Sequence, residues 1–398
     1  MIPNLDSQIG ITVYSTEFSG IGGKIRIKPE DFQVTEIISQ RAQKSINDSE
    51  GYAVYKLKKK KIDTNHALSD IFRKKGIRLK SLGLKDSSAI TEQFVCSGNK
   101  GKAIENFSTD KYSLEKIGFV KKPLSKKDMV SNHFKIKISD CSNELSSFTE
   151  YGKVLNFYGY QRFGSKRPVT HLIGKAILQR DFKKAVELIL SFTSPYDSKE
   201  NTEIREKLSD NQNYEKYLDQ VPYQMDIERV VLKEMIEHGD ALRAIRSIQI
   251  SLRRFYIQAY QSFIFNQSLS SALSDGEDMF EAQSGDVCFD LHGIIGKYVK
   301  GLDQYLALPF VGYSYYKKTR FNYQISKILN QEEIAPKDFF IKEMQEVSSE
   351  GGFRQAAIHC SDFSSYDNTV DVSLSRGSFA TILLREIMKP TDPIIAGF

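Results

Sequence analysis

The sequence predicts an α+β protein, and three observations carry that reading. Phe32–Ile38, Asn132–Ile138 and Val370–Leu374 alternate apolar and polar residues with the period of two that a half-buried strand requires. From Val169 to Leu269 the apolar residues recur at helical spacing instead. At 398 residues the chain exceeds what one hydrophobic core usually serves, so two domains are expected. Apolar residues make up 40%, as in a globular protein.

Several classes are excluded early. There is no run of about 18 apolar residues, and Met1–Gly10 lacks a basic region followed by an apolar one. The expectation is a soluble, unsecreted, cytoplasmic protein with no membrane contact. Cys96, Cys141, Cys288 and Cys360 are far apart, with no C-x-x-C pair and no His at ligand spacing, so neither a disulfide framework nor a zinc site is expected. Net charge is +6, split as +10 over residues 1–140 and −4 over the remainder. A basic half suits a polyanion partner on one surface, and solvated lysines would give the same tally.

In chain order, Ile11–Tyr14 reads as a strand running into the glycine-rich Glu17–Gly23. A nucleotide-binding turn, or the cofactor loop of a cytosine methyltransferase, would need a helix next. Lys24–Lys28 alternates as a strand and Pro29 ends it, and no Pro-Cys pair exists, so a hairpin is expected. Phe32–Ile38 and Tyr52–Leu57 follow as strands. Lys58–Lys61 is either a solvated loop or an RNA contact. Asp63 or Thr64 caps a helix bearing Leu68, Ile71 and Phe72, with Gly76 as its stop. Another strand starts at Thr91. Residues 100–127 read as loop and short strands, and 143–155 as helix. Asn156–Pro168 holds aromatics, two glycines and three cations, which suits either a stacking and phosphate-binding loop or a buried aromatic cluster. Helices are expected from Val169, an irregular polar stretch over 193–224, one long helix after Asp240, and β-structure over 286–309. Val370–Leu374 turns at Gly377 and Ser378 into a terminal helix ended near Pro390.

The most suggestive stretch is Gly83-Leu84-Lys85-Asp86-Ser87-Ser88-Ala89-Ile90-Thr91-Glu92-Gln93. By spacing alone Asp86 is a turn cap, although a carboxylate beside Lys85 stays ionised and could serve as nucleophile or base. Gly83, Lys85, Asp86, Ala89, Thr91 and Gln93 fit the G-x-K-D-x-x-A-x-T-x-Q signature of the TruD family of pseudouridine synthases. Pro29-Glu30-Asp31-Phe32 with Val34 and Glu36, Asn156–Gly164, and Gly377-Ser378-Phe379-Ala380-Thr381 resemble the same family, in its order. So does Gln261–Asn266, which is similar to a segment of the family's insertion domain.

The resemblance implies a pseudouridine-synthase-like core, with a mixed, mostly antiparallel sheet and flanking helices. A mainly helical insertion domain would interrupt it. The expected division is 1–164 for the first part of the catalytic domain, 165–345 for the insertion and 346–398 for the closing strand and helix, so Val370–Leu374 must return to the first sheet. It further implies isomerisation of uridine to pseudouridine in tRNA at position 13, or in other RNAs, with Asp86 as the catalytic carboxylate. Asn132 and Phe134 match the family's N-x-F, whose Phe stacks on the target base. Arg26 stands where the family commonly has Lys, and Lys85, Gln161, Arg162 and Phe163 complete the substrate-binding set. No cofactor, metal or obligate protein partner is implied, since the reaction exchanges no electrons or atoms with a donor. A non-catalytic RNA-binding protein is the alternative reading.

Overall fold

The computed structural model describes residues 1–85 and 87–398. In chain order its strands are β1 (Gly22–Lys24), β2 (Phe32–Ile38), β3 (Tyr52–Lys59), β4 (Leu79–Ser81), β5 (Ile90–Ser97), β6 (Phe107–Ser108), β7 (Tyr112–Val120), β8 (Met129–Lys137), β9 (Ser139–Cys141), β10 (Val287–Asp290), β11 (Ile295–Lys297), β12 (Gln304–Phe310), β13 (Gly352–Gln355), β14 (Cys360–Tyr366) and β15 (Thr369–Ser375). The main sheet has nine strands in the order β14-β15-β8-β2-β5-β3-β7-β6, with β4 added on β5. Its pairs are antiparallel except β2 with β5. A four-stranded sheet, β11-β10-β12-β13, and the small β1–β9 pair complete the β-structure.

The period-two patterns set the register. Phe134 lies opposite Val34 on one side and Val372 on the other, so the apolar positions of β2, β8 and β15 share a face. Lys135 and Lys137 point to solvent. The apolar face merges with the helices Thr170–Leu178, Phe182–Ser191, Ile250–Ser274 and Ala380–Met388 in one buried cluster. A second cluster, with Ala53, Tyr55, Leu57 and Val95, packs Ala67 and Ile71 of the helix Thr64–Lys75 on the sheet. That helix starts and stops as its sequence dictates. The Asp63 side chain accepts from the His66 N–H, and Gly76 closes the end with φ of 64°. Among the described residues, no helix is long and apolar enough to cross a membrane.

Several expectations are corrected. Ile11–Tyr14 forms no strand, and no N-terminal hairpin exists; β1 is three residues long and pairs with β9. A Cβ on Gly23 would lie 2.7 Å from the Ser139 carbonyl oxygen, so this glycine serves close approach to β9 rather than a tight turn. Residues 100–127 contain the nine-residue β7, whose Tyr112, Leu114 and Val120 are buried while lysines border it. Residues 143–155 hold only a short 3₁₀ turn, Leu145–Ser147. The stretch 193–224 is packed rather than irregular: Ser198 caps the helix Lys199–Lys207, and Ile204, Leu208 and Val221 are buried. The long helix after Asp240 is two, Ala241–Ser247 and Ile250–Ser274. Ile248 is extended between them, and its carbonyl accepts from Arg253 Nε at 2.8 Å.

His171, on the helix Thr170–Leu178, lies stacked on Phe263 with Phe163 edge-on, and burial lowers its pKa to about 4. The folded chain therefore keeps this ring neutral where the unfolded chain protonates it. Stability contributed by the neutral ring is complete above the usual pKa of 6.5 and is lost as pH falls from there toward 4. A shift of that size is worth roughly 3 kcal/mol. Urea unfolding at pH 7 and near pH 4.5 should show a smaller pH-dependent loss in His171→Phe than in the parent. Equal losses in the two proteins would remove His171 as a source of acid sensitivity.

Candidate active site

The connection from β4 to β5 carries Gly83, Lys85 and Asp86. Asp86 itself lies outside the described residues. β2 and β4 share one edge of β5, pairing with Ile90–Glu92 and Val95–Ser97 respectively, and side chains close the gap between them. Glu36 Oε2 accepts from the Phe94 N–H at 3.0 Å, and Gln93 Nε2 donates to the Gly83 carbonyl at 2.9 Å. The Thr64 hydroxyl donates to Gln93 Oε1 at 2.8 Å and accepts from the Lys85 N–H at 2.9 Å. Two buried side chains thus clamp the backbone of the turn, which explains Gln93 as a partner for Gly83.

Lys85 does not point to bulk water. Its Nζ donates to Asn132 Oδ1 at 2.6 Å and stands 3.4 Å from Glu36 Oε1, whose side chain is fully buried. Burial pushes the Glu36 carboxyl up, and the Lys85 ammonium and the Phe94 N–H oppose that rise. Asn132 faces Glu36 directly across β8 and β2, so the register alone brings these groups together.

A cavity of about 220 Å³ opens beside this cluster. Its walls come from five remote segments: Arg26 with Phe32 and Val34, residues 84–91 through Leu84, Lys85, Ala89 and Thr91, Asn132 and Phe134 on β8, Gln161, and Ser378–Thr381. Phe134 meets Phe32 edge-to-face at 6.3 Å and is 8% exposed, so only part of its ring faces the cavity. Arg26 takes a left-handed φ of 59°, lays its guanidinium 4.3 Å over the Phe32 ring, and donates to the Gly397 carbonyl at 2.9 Å.

The wall at Ser378–Thr381 is the start of the helix Ala380–Met388, which turns its N-terminal end toward the cavity. The sequence pattern marks this element only as a closing strand and helix, and its place at the site follows from the fold. Arg354 of β13 carried no sequence signal, yet it fastens that turn. Its Nη2 donates to the Gly377 carbonyl at 2.7 Å and to Asn156 Oδ1 at 2.8 Å. The loop 156–161 comes equally close from its other side, since a Cβ on Gly159 would sit 3.0 Å from Thr381 Oγ1. Asn266 accepts from the Tyr158 N–H at 2.8 Å and donates to the Ile9 carbonyl at 2.9 Å, tying this loop to the central helix.

The structure thus gathers Arg26, Lys85, Asn132, Phe134 and Gln161 around one cavity. Arg162 lies apart from its walls, against the rings of Tyr158 and Phe255. Phe163 is corrected: it has no exposed surface and packs against His171 in the core, so its ring stacks on no substrate.

The model of the tRNA pseudouridine synthase D (TruD) family matches residues 8–387 of this chain. The chain belongs to the TruD family. Among its relatives, the probable tRNA pseudouridine synthase D of Methanococcoides burtonii is 29% identical over 98% of both chains. That of Archaeoglobus fulgidus is 30% identical, covering 97% of this chain and 99% of the relative. The crystal structure of the candidate tRNA pseudouridine synthase D (TruD) from Methanosarcina mazei superposes with a TM-score of 0.79 at 26% identity, covering 99% of each chain. The TruD relationship spans the helical region as well as the main sheet, as the end-to-end order of the motifs led one to expect.

Proposed function

We propose that this TruD-family protein isomerises uridine to pseudouridine in tRNA, at position 13, with Asp86 as the catalytic carboxylate. The observation that supports the reading best is the convergence of the family's separate motifs on one cavity, at whose wall Lys85 and Ala89 flank Asp86 in sequence. At about 220 Å³ the cavity is smaller than the roughly 300 Å³ at which small-molecule pockets begin, which suits one extruded base rather than a whole ligand.

The reaction breaks the bond from N1 to C1′, turns the base and joins C5 to C1′. N1 gains a proton and C5 loses one, with no net change of oxidation state. A carboxylate is needed next to the sugar, either as nucleophile at C1′ or as base at the C2′ proton. Phe134 and Phe32 offer apolar surface to the base, and Asn132 offers an amide whose oxygen is held by Lys85, leaving its NH₂ group to face a ligand. Residues 1–164 and 346–398 would form the catalytic domain and 165–345 the insertion, with RNA in the cleft. β15 pairing on β8 supports that division.

The test is direct, because isomerisation releases the hydrogen on C5. Unmodified tRNA carrying tritium at C5 of its uridines should release label catalytically when incubated with the protein. Binding without any release would favour the non-catalytic RNA-binding alternative and end the proposal.

A further inference from the structure

Among the described residues, two arginines close in sequence or by hydrogen bond to cavity-lining residues face no carboxylate. The guanidiniums of Arg354 and Arg162 lie 4.0 and 5.3 Å from the centre of the same ring, Tyr158. Among the described residues, no carboxylate lies within ion-pair distance of either. This sets them apart from Arg167 and Arg320, which are comparably half-buried, and from the more deeply buried Arg253 and Arg385, each of which faces a carboxylate. Two like charges held around one ring, both partly removed from water, repel each other, and each guanidinium is held below its usual range by burial. An arrangement that costs free energy in the free protein gains most from an anion. Neither lines the cavity, but each is tied to a residue that neighbours its wall: Arg162 follows Gln161 in sequence, and Arg354 holds the Gly377 carbonyl next to Ser378.

We propose that Arg162 and Arg354 together form a seat for one backbone phosphate of the RNA strand that delivers the target uridine. The inference rests on the reading of the cavity as the uridine site. A phosphate there would neutralise the pair, taking donors from the Arg162 fork and from Arg354 Nη1, since Arg354 Nε and Nη2 are engaged by Asn156 and Gly377. Fixing the strand on one side of the cavity would position the nucleotide without reading its sequence.

The test measures binding of an unmodified tRNA transcript at salt concentrations from about 50 to about 300 mM. Arg162→Gln and Arg354→Gln should each weaken binding by about tenfold at low salt, and each should lower the slope of log affinity against log salt by a measurable part of the roughly one unit that a single shared phosphate contributes. Arg354→Lys, which keeps the charge, should keep the parent slope. Parent slopes in both Gln variants, or a slope loss in Arg354→Lys equal to that in Arg354→Gln, would overturn the seat. Should Arg354→Gln melt far below the parent, the slopes of Arg162→Gln and Arg354→Lys decide in the same way. Release of the C5 hydrogen by the parent is scored separately, so normal slopes in an active enzyme sink the seat alone. Altered slopes in a protein that releases no label sink only the activity.

Discussion

Asp86→Asn is expected to lower pseudouridine formation by at least about 10³-fold while leaving tRNA affinity within about threefold of the parent. The substitution changes charge and little else. Asn keeps the shape and hydrogen-bonding reach of the side chain but can neither attack C1′ nor take a proton. The turn around it should keep its conformation, because Thr64 and Gln93 hold the backbone of Gly83 and Lys85 without the Asp86 side chain. Lys85 is likewise anchored by Asn132 and Glu36. A fall in rate with affinity intact therefore reports chemistry rather than folding. If Asp86→Asn turns over as fast as the parent, another group performs the reaction and the assignment of Asp86 is wrong.

Arg385→Met is expected to destabilise the protein by about 3–5 kcal/mol. Arg385 is fully buried in the helix that forms one cavity wall, and it meets Asp6 Oδ2 through Nε at 2.5 Å and Glu386 Oε1 through Nη1 at 2.9 Å. Its Nη2 donates to the Val13 carbonyl at 3.0 Å, and its guanidinium lies 4.2 Å over the Tyr14 ring. Met fills similar volume but strands two buried carboxylates. They keep only partial compensation: Tyr160 donates to Asp6 Oδ1 at 2.7 Å, and the Ser15 N–H and Thr16 hydroxyl donate to Glu386. Urea unfolding should show the loss, and adding Asp6→Asn to Arg385→Met should recover part of it by removing one stranded charge. A double variant no more stable than Arg385→Met would contradict this account of the cluster.

How far the molecule can be read from its sequence depends on the range of the physics involved. β2, β8 and β15 announce themselves because a sheet with one buried face forces strict alternation, and the helix Thr64–Lys75 because its caps are local. β1 and β9 carry no such mark: each is three residues long, and their pairing joins positions some 115 residues apart. The 143–155 segment misleads because Leu145, Phe148, Val154 and Leu155 are buried without forming a regular element. At the site, Gly83, Lys85 and Gln93 are legible as a motif, but their clamp needs Thr64 and Glu36 from other elements. The Arg385–Glu386 pair inside the apolar Ala380–Met388 was a usable signal, since charges on a face that must be buried imply partners. Arg354 gave none. A single cation near the end of a short strand is informative only once the fold brings Asn156, Tyr158 and Gly377 to it.

The most direct measurement is a chemical map of pseudouridine at every uridine of a tRNA transcript after incubation with a small fraction of an equivalent of the protein. Conversion is expected at the single uridine at position 13, driven toward completion by repeated turnover. A transcript that binds the protein yet gains no pseudouridine at any position would contradict it.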